Sequence, residues 1–214
     1  MSLLNKDAAI EIIPNDYCFF SLFNGSTGLT VAPELPAMSL KDNCYACMFT
    51  ECTNLTAAPK LKANQLKTSC YELMFAGCTG LTTAPDLPAN VLGRSCYLGM
   101  FGNCTGLTAA PKLEATTLAD NCYCQMFYGC TGLTSAPELK ATNLAKYCYD
   151  KMFDGCTNLK YVKCLATKVS ADGCTKDWLK GVAASGTFVK ASGMTGWSSG
   201  ESGIPAGWTI ENAE

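Results

Sequence analysis

The sequence has no histidine among its 214 residues. Imidazole is the commonest general base at neutral pH, so its absence removes Ser-His-Asp and Cys-His nucleophiles, His-bearing zinc peptidases and the usual proton shuttle. Charge is scarce too. Only 16% of residues are charged, with 16 Lys and Arg against 18 Asp and Glu, so there is no basic field to meet a phosphate backbone and no nucleic-acid partner is expected. No uninterrupted apolar run approaches the ~20 residues of a membrane-spanning helix. Residues 1–16, MSLLNKDAAIEIIPND, carry Asp7 and Glu11 in their most apolar part and lack a basic start. That is not the pattern of a secretion signal. The 48% of hydrophobic residues separates the chain from disordered polypeptides, and its length is that of one domain with at most a small appendage.

What the chain has in excess is cysteine, 15 residues in all. One column recurs at Cys18, Cys44, Cys70, Cys96, Cys122, Cys148 and Cys174, always 26 residues apart. A second runs through Cys52, Cys78, Cys104, Cys130 and Cys156, with Ser26 in its first position. Between them lies an apolar pair: Met48-Phe49 and its equivalents to Met152-Phe153, preceded by Leu22-Phe23 and followed by Trp178-Leu179. A period of this size means stacked supersecondary units. The unit is too short for two helices with their loops, and each carries a proline, from Pro33 to Pro137, that would break a helix. The spacing predicts a leucine-rich or β-solenoid unit instead, with its strand at Leu-Thr-x-Ala, as in Leu81 to Ala84, ending where proline removes the backbone donor. Adjacent strands would lie about 4.8 Å apart.

The unit Cys-Tyr-x-x-Met-Phe-x-x-Cys-Thr-x-Leu-Thr-x-Ala-Pro-x-Leu resembles the BspA-type leucine-rich repeat, known from surface proteins of gut and oral bacteria, especially Bacteroides relatives. The similarity covers residues 18 to about 174, with Met-Phe where Ala-Phe is frequent and Ala-Pro where Ile-x-x-Pro is frequent. The expected fold is a leucine-rich-repeat-like, right-handed β-solenoid of 26-residue coils: an N-terminal cap over 1–17, six full coils over 18–174, and a C-terminal cap or small β appendage over 175–214. The resemblance implies a cell-surface or secreted binding protein with no catalytic residues to carry over.

In-register cysteines on adjacent coils project in parallel, whereas a disulfide needs Cβ atoms about 3.8 Å apart and facing each other. The two columns are therefore expected to be buried free thiols. Cys47, Cys124 and Cys164 lie outside them and are the candidates for a crosslink or a reactive surface thiol. Cys44-x-x-Cys47, and Cys122-x-Cys124 with Cys130, are the alternatives for a zinc or redox site, but neither has a second Cys-x-x-Cys or a histidine. No metal or cofactor is expected. Glu34, Lys60, Asp86, Lys112 and Glu138 alternate in sign along one column, which reads as register control. The columns Thr30 to Thr134 and Val31 to Ser135 read as a solvated face, on which a sugar-binding cleft of the usual kind, with stacked aromatics and paired carboxylates, is not visible.

All three tryptophans fall in the last forty residues. They suit a cap over the final coil, with short strands at 186–190 and 203–210. Where the repeat is least regular, Tyr161, Trp197 and Trp208 are the candidate ligand contacts, because exposed aromatics anchor interfaces. The function expected is a monomeric, non-catalytic adhesion module that offers an extended face to a host extracellular protein or glycan. The alternative is a passive spacer for another domain.

Overall fold

The computed structural model describes residues 12–214; most of the expected N-terminal cap, residues 1–11, lies outside them. Among the described residues there is no helix, and three short strands, β1 (Tyr161–Cys164), β2 (Thr187–Lys190) and β3 (Thr209–Asn212), form one parallel sheet in that order. Tyr161 pairs with Thr187, and Thr187 with Thr209. The rest of the repeat region stacks by a different device.

That device is the Cys-Tyr-x-x-Met-Phe segment. Its apolar residues come in pairs every fourth position: Cys44-Tyr45, then Met48-Phe49, then Cys52, all buried. The backbone has the same period. Asn43, Cys47 and Glu51 take positive φ of 56°, 57° and 59°, and the equivalent residues of the other repeats do likewise, for example Ser69, Leu73 and Gly77, or Asn121, Gln125 and Gly129. A left-handed residue at every fourth position rolls the chain into successive tight turns. Half of the N–H groups close these turns, as Met48 donates to the Tyr45 carbonyl at 3.2 Å. The alternate ones point along the stack: Asn43, Tyr45, Cys47, Phe49 and Glu51 donate to the carbonyls of Thr68, Cys70, Glu72, Met74 and Ala76 at 2.7–3.1 Å. Each repeat thus gives five axial bonds to the next, from Tyr17 through Gly155. A net contribution of about 1 kcal/mol per bond is set against about 1–2 kcal/mol for each non-glycine residue held left-handed. The axial bonds and the side chains stacked beside them hold the turns in place.

The strand expected at Leu-Thr-x-Ala is not continuous. In the first five repeats the segment makes only isolated parallel bridges, Val31 to Ala57, Thr83 to Ala109 and Ser135 to Tyr161. The proline that follows two residues later has no N–H to extend the ladder. At Lys163 the proline column ends, and there β1 forms. The second C-terminal strand lies at 209–212 and not within 203–210.

Two ring columns run through the core. Phe23, Phe49, Phe75, Phe101, Phe127 and Phe153 stack with centroids 5.5–5.7 Å apart and planes within 9°. Phe19, Tyr45, Tyr71, Tyr97, Tyr123 and Tyr149 form the other at 5.6–6.2 Å. These steps exceed the 4.8 Å of a flat sheet because near-parallel rings prefer an offset over a face-to-face sandwich. Trp178, expected in the methionine column, instead continues the tyrosine stack on Tyr149 at 6.0 Å, and Trp197 covers it at 5.3 Å and 4°. The described residues form a helix-free stack of repeats around Cys, Tyr, Met and Phe columns, compatible with a β-solenoid.

Three substitutions, compared by urea denaturation, test these assignments. Phe101→Ala is expected to cost about 3–5 kcal/mol, because a fully buried rung is removed from its column. Thr83→Ala, on the exposed face, should cost well under 1 kcal/mol. Gly77→Ala should lose about 1–2 kcal/mol, since its φ is +73° and a Cβ would meet the Glu51 carboxylate. Equal losses at Phe101 and Thr83 would show the inward and outward columns to be wrongly assigned.

Candidate functional site

The proline edge carries a series of recesses. In each repeat Ala-Pro-x-Leu buries its leucine, as at Leu35, Leu61, Leu87, Leu113 and Leu139, while proline turns the chain away from axial pairing. Adjacent edges leave hollows between them. One of about 310 Å³ lies between Ala32 to Pro36 and Pro59, Lys60 and Lys62. The next, about 510 Å³, shares Pro59, Lys60 and Lys62 and reaches Pro85, Asp86 and Pro88. A third, about 370 Å³, is lined by Pro111, Lys112, Glu114, Pro137, Glu138 and Lys140. The first two share Pro59, Lys60 and Lys62 and follow one another along the edge, with proline and leucine beside charged side chains in their lining.

The rim corrects the expected charge ladder. Glu34, Lys60, Asp86, Lys112 and Glu138 make no ion pair with one another among the described residues. Pairing occurs beside them: Lys140 binds Glu114 at 2.7 Å, and Lys163 binds Glu138 at 2.7 Å. The hydrogen bond from Lys140, and then its charge, lowers the Glu114 pKa, and the Glu138 bond raises that of Lys163. Both pairs are exposed, so solvent screens them. Lys62 lies between Pro36 and Pro88 in its column and has no such partner among the described residues.

Next to the groove, Thr30, Thr56, Thr82, Thr108 and Thr134 are exposed, as are Val31, Ala57, Thr83, Ala109 and Ser135. Tyr161 continues this second column on β1 and is exposed. The two tryptophan candidates sit differently. Trp208 is buried and donates its indole N–H to the Ala183 carbonyl at 2.8 Å. Trp197 is half-buried, stacked on Trp178 and edge-on to Phe188. Tyr161 belongs to the open face, whereas Trp197 belongs to the end of the core. A wider cleft of about 750 Å³ opens between Thr167 to Ser170 and Ser192 to Gly196.

All fifteen cysteines are free thiols. The first column is buried from Cys44 to Cys174, with Cys18 exposed at its start, and the second is buried throughout. Of the three extra cysteines, Cys124 and Cys164 are buried and Cys47 is half-buried, so the expected surface reactivity of Cys124 and Cys164 is not supported. For Cys164 the register explains this, since it ends the inward side of β1. The second column does more than fill space. Cys78, Cys104 and Cys130 donate their thiols to the carbonyls of Phe49, Phe75 and Phe101 at 2.9–3.1 Å, so each ties one repeat to the one before. Packing as small hydrophobes is thus only part of their role, and the hydroxyl donor Ser26 at the first position of the column is the signal for the rest. Among the described residues no three His, Cys, Asp or Glu side chains converge as a metal set.

Burial governs the chemistry of these thiols. Desolvation pushes Cys44 and Cys124 up to about 11, and Cys104, Cys122, Cys156 and Cys164 up to about 12, from an ordinary 9.0. They are poor nucleophiles at neutral pH. Comparison with known proteins gives no match: no family model fits the chain, and no curated protein and no solved structure is detectably similar to it.

The raised values fix a pH dependence. In the unfolded chain these thiols lose protons near 9, while the folded state holds them to about 11–12. Over that interval the unfolded state binds fewer protons, so stability is full below pH 9 and falls as pH rises toward 12. The urea midpoint should be flat from about pH 6 to 8 and drop steeply above about 9. Thiol titration at pH 7.5 should find few reactive groups in the native protein and nearly all 15 after denaturation without reductant. Oxidised cysteines in the denatured sample would contradict the assignment.

Proposed function

We propose that the chain is a leucine-rich-repeat-like, right-handed β-solenoid of the BspA type, capped over 1–17 and 175–214, and that it serves as a monomeric, non-catalytic binding module. Its setting in this reading is the cell surface or the extracellular space, and its partner is a host protein or glycan. The observation that carries the proposal is the groove along the proline edge, where hollows of about 310 and 510 Å³ share one set of residues beside a regular exposed column of Thr and small side chains. A groove that crosses several repeats suits an elongated ligand better than a small substrate, and repeat stacks generate such extended surfaces. The buried thiols are held protonated, which suits a structural part for them. Among the described residues no helix is long and apolar enough to cross a membrane.

The test is a screen of the purified protein against immobilised extracellular matrix proteins and a glycan array. Saturable binding that is weakened by Lys60→Glu with Lys62→Glu, at unchanged melting temperature, is the expected result. Uniform silence across both panels would remove the binding reading and leave the passive spacer.

A further inference from the structure

The hollows of the proline edge share an apolar frame and differ in charge. Prolines of two adjacent repeats line each of them: Pro33 and Pro59 the first, Pro59 and Pro85 the second, Pro111 and Pro137 the third. In the third hollow the fold neutralises most of its own charge, because Lys140 pairs with Glu114 and Glu138 with Lys163, both at 2.7 Å. The first two hollows are different. Lys60 and Lys62 line both of them, are exposed, and make no ion pair among the described residues.

The sequence of the edge is the cause. Its repeats read Pro-Glu-Leu-Pro, Pro-Lys-Leu-Lys, Pro-Asp-Leu-Pro, Pro-Lys-Leu-Glu and Pro-Glu-Leu-Lys, so 59–62 alone carries two charges of one sign. Leu61 between them is buried, and the alternation of an extended chain puts both lysines on the outer side. Residues between 32 and 36 on one side and between 83 and 88 on the other complete the two linings. There Lys62 meets Pro36 and Pro88 in its own column, positions that carry no charge, where the later repeats set Glu114 beside Lys140. Two like charges held together repel each other and leave a local positive field for an anion. The backbone is open here as well. The N–H groups of Leu61 and Lys62 donate to no backbone carbonyl among the described residues, whereas Leu139 in the fifth edge donates to Lys163 at 2.9 Å.

We propose that the two hollows on either side of Lys60 and Lys62 take an extended acidic segment of a partner polypeptide. Its apolar side chains enter the hollows, and the carboxylates beside them meet the lysine ammonium groups, whose flexible stems reach from the shared wall. Its carbonyls are acceptors for the open N–H groups of Leu61 and Lys62. The inference rests on the binding role given to the proline edge and names the chemistry of the partner. Charge complementarity asks for an anion, and the proline- and leucine-lined hollows ask for apolar side chains next to it. A polypeptide carries both, whereas an acidic glycan brings the anion without the apolar side chains.

The probe is a labelled synthetic peptide in which leucine and glutamate alternate between Gly-Ser ends, titrated against the full chain by fluorescence anisotropy at low salt. Saturable binding is expected. It should weaken about tenfold or more when glutamine replaces the glutamates, when alanine replaces the leucines, or when Lys60→Glu is combined with Lys62→Glu in the protein. Salt raised to about 1 M, where the screening length is about 3 Å, should weaken it as well. Lys41→Glu with Lys67→Glu makes the same change of charge at exposed lysines that line neither hollow, and should leave binding unchanged. Both double variants should keep the parent's melting temperature, since all four side chains are exposed. No binding of the glutamate peptide, equal binding of the glutamine peptide, equal loss in the two double variants, or tighter binding of a hyaluronan oligosaccharide than of the peptide would each overturn the inference. A silent peptide beside a positive matrix-protein or glycan panel removes the acidic polypeptide alone, and silence in all three removes the binding role too.

Discussion

The structure depends on a backbone amide that points along the stack instead of along its own chain. At alternate residues of the Cys-Tyr-x-x-Met-Phe segment the N–H group leaves its own turn and bonds the next repeat, five times per interface. For this to happen, each third of the segment must turn through a left-handed residue, which costs free energy at Leu73, Cys47 and Gln125 as it would at any L-residue with φ near +55°. The side chains follow from the same geometry. With a four-residue backbone period, two successive side chains face inward and the next two outward, so Cys-Tyr and Met-Phe pairs fall into columns that stack on themselves. The aromatic columns, the thiol donors and the open Thr face are consequences of that period.

The period was present in the sequence and is easily overlooked, because neither the two-residue alternation of strands nor the 3.6-residue rhythm of helices matches it. The 26-residue repeat, the burial of the cysteine columns and the exposure of Thr30 to Thr134 could be read directly, since they need only the statement that equivalent residues stack. The strand could not be placed as simply. Leu-Thr-x-Ala has strand composition, yet the missing N–H of each proline confines it to single bridges until Lys163 replaces the proline. The left-handed residues were hidden because only one of their three columns is glycine-rich, at Gly25, Gly77, Gly129, Gly155 and Gly181, while Asn, Ser, Tyr and Leu fill many of the others.

The candidate site was legible only in part. Tyr161 is exposed, as its position beyond the small-residue column implied. Trp197 and Trp208 were chosen because large rings at an irregular end suit either a cap or an interface, and composition does not separate the two. Their contacts do: one ring closes the tyrosine stack and the other hydrogen-bonds inside the C-terminal layer. The proline-edge groove was not foreseen, because it is a property of the spacing between two repeats and not of any residue within one. Axial polarity was equally invisible, since a sequence does not announce which way its N–H groups point. That polarity makes the ends unlike: the C-terminal end presents N–H groups, of which those of Asp177 and Leu179 meet Ser202 and Glu201, and the first repeat presents carbonyls.

Amide hydrogen exchange read residue by residue tests the axial ladder most directly. Tyr97, Gly99 and Phe101 donate to the carbonyls of Cys122, Cys124 and Met126, whereas the N–H groups of Thr82 and Thr83 have no backbone acceptor among the described residues. The account predicts that Tyr97, Gly99 and Phe101 exchange only through the most global opening of the protein, and that Thr82 and Thr83 exchange orders of magnitude faster. Equal protection at the two sets, or greater protection at Thr82 and Thr83, would contradict it and return the ladder to the Leu-Thr-x-Ala segment.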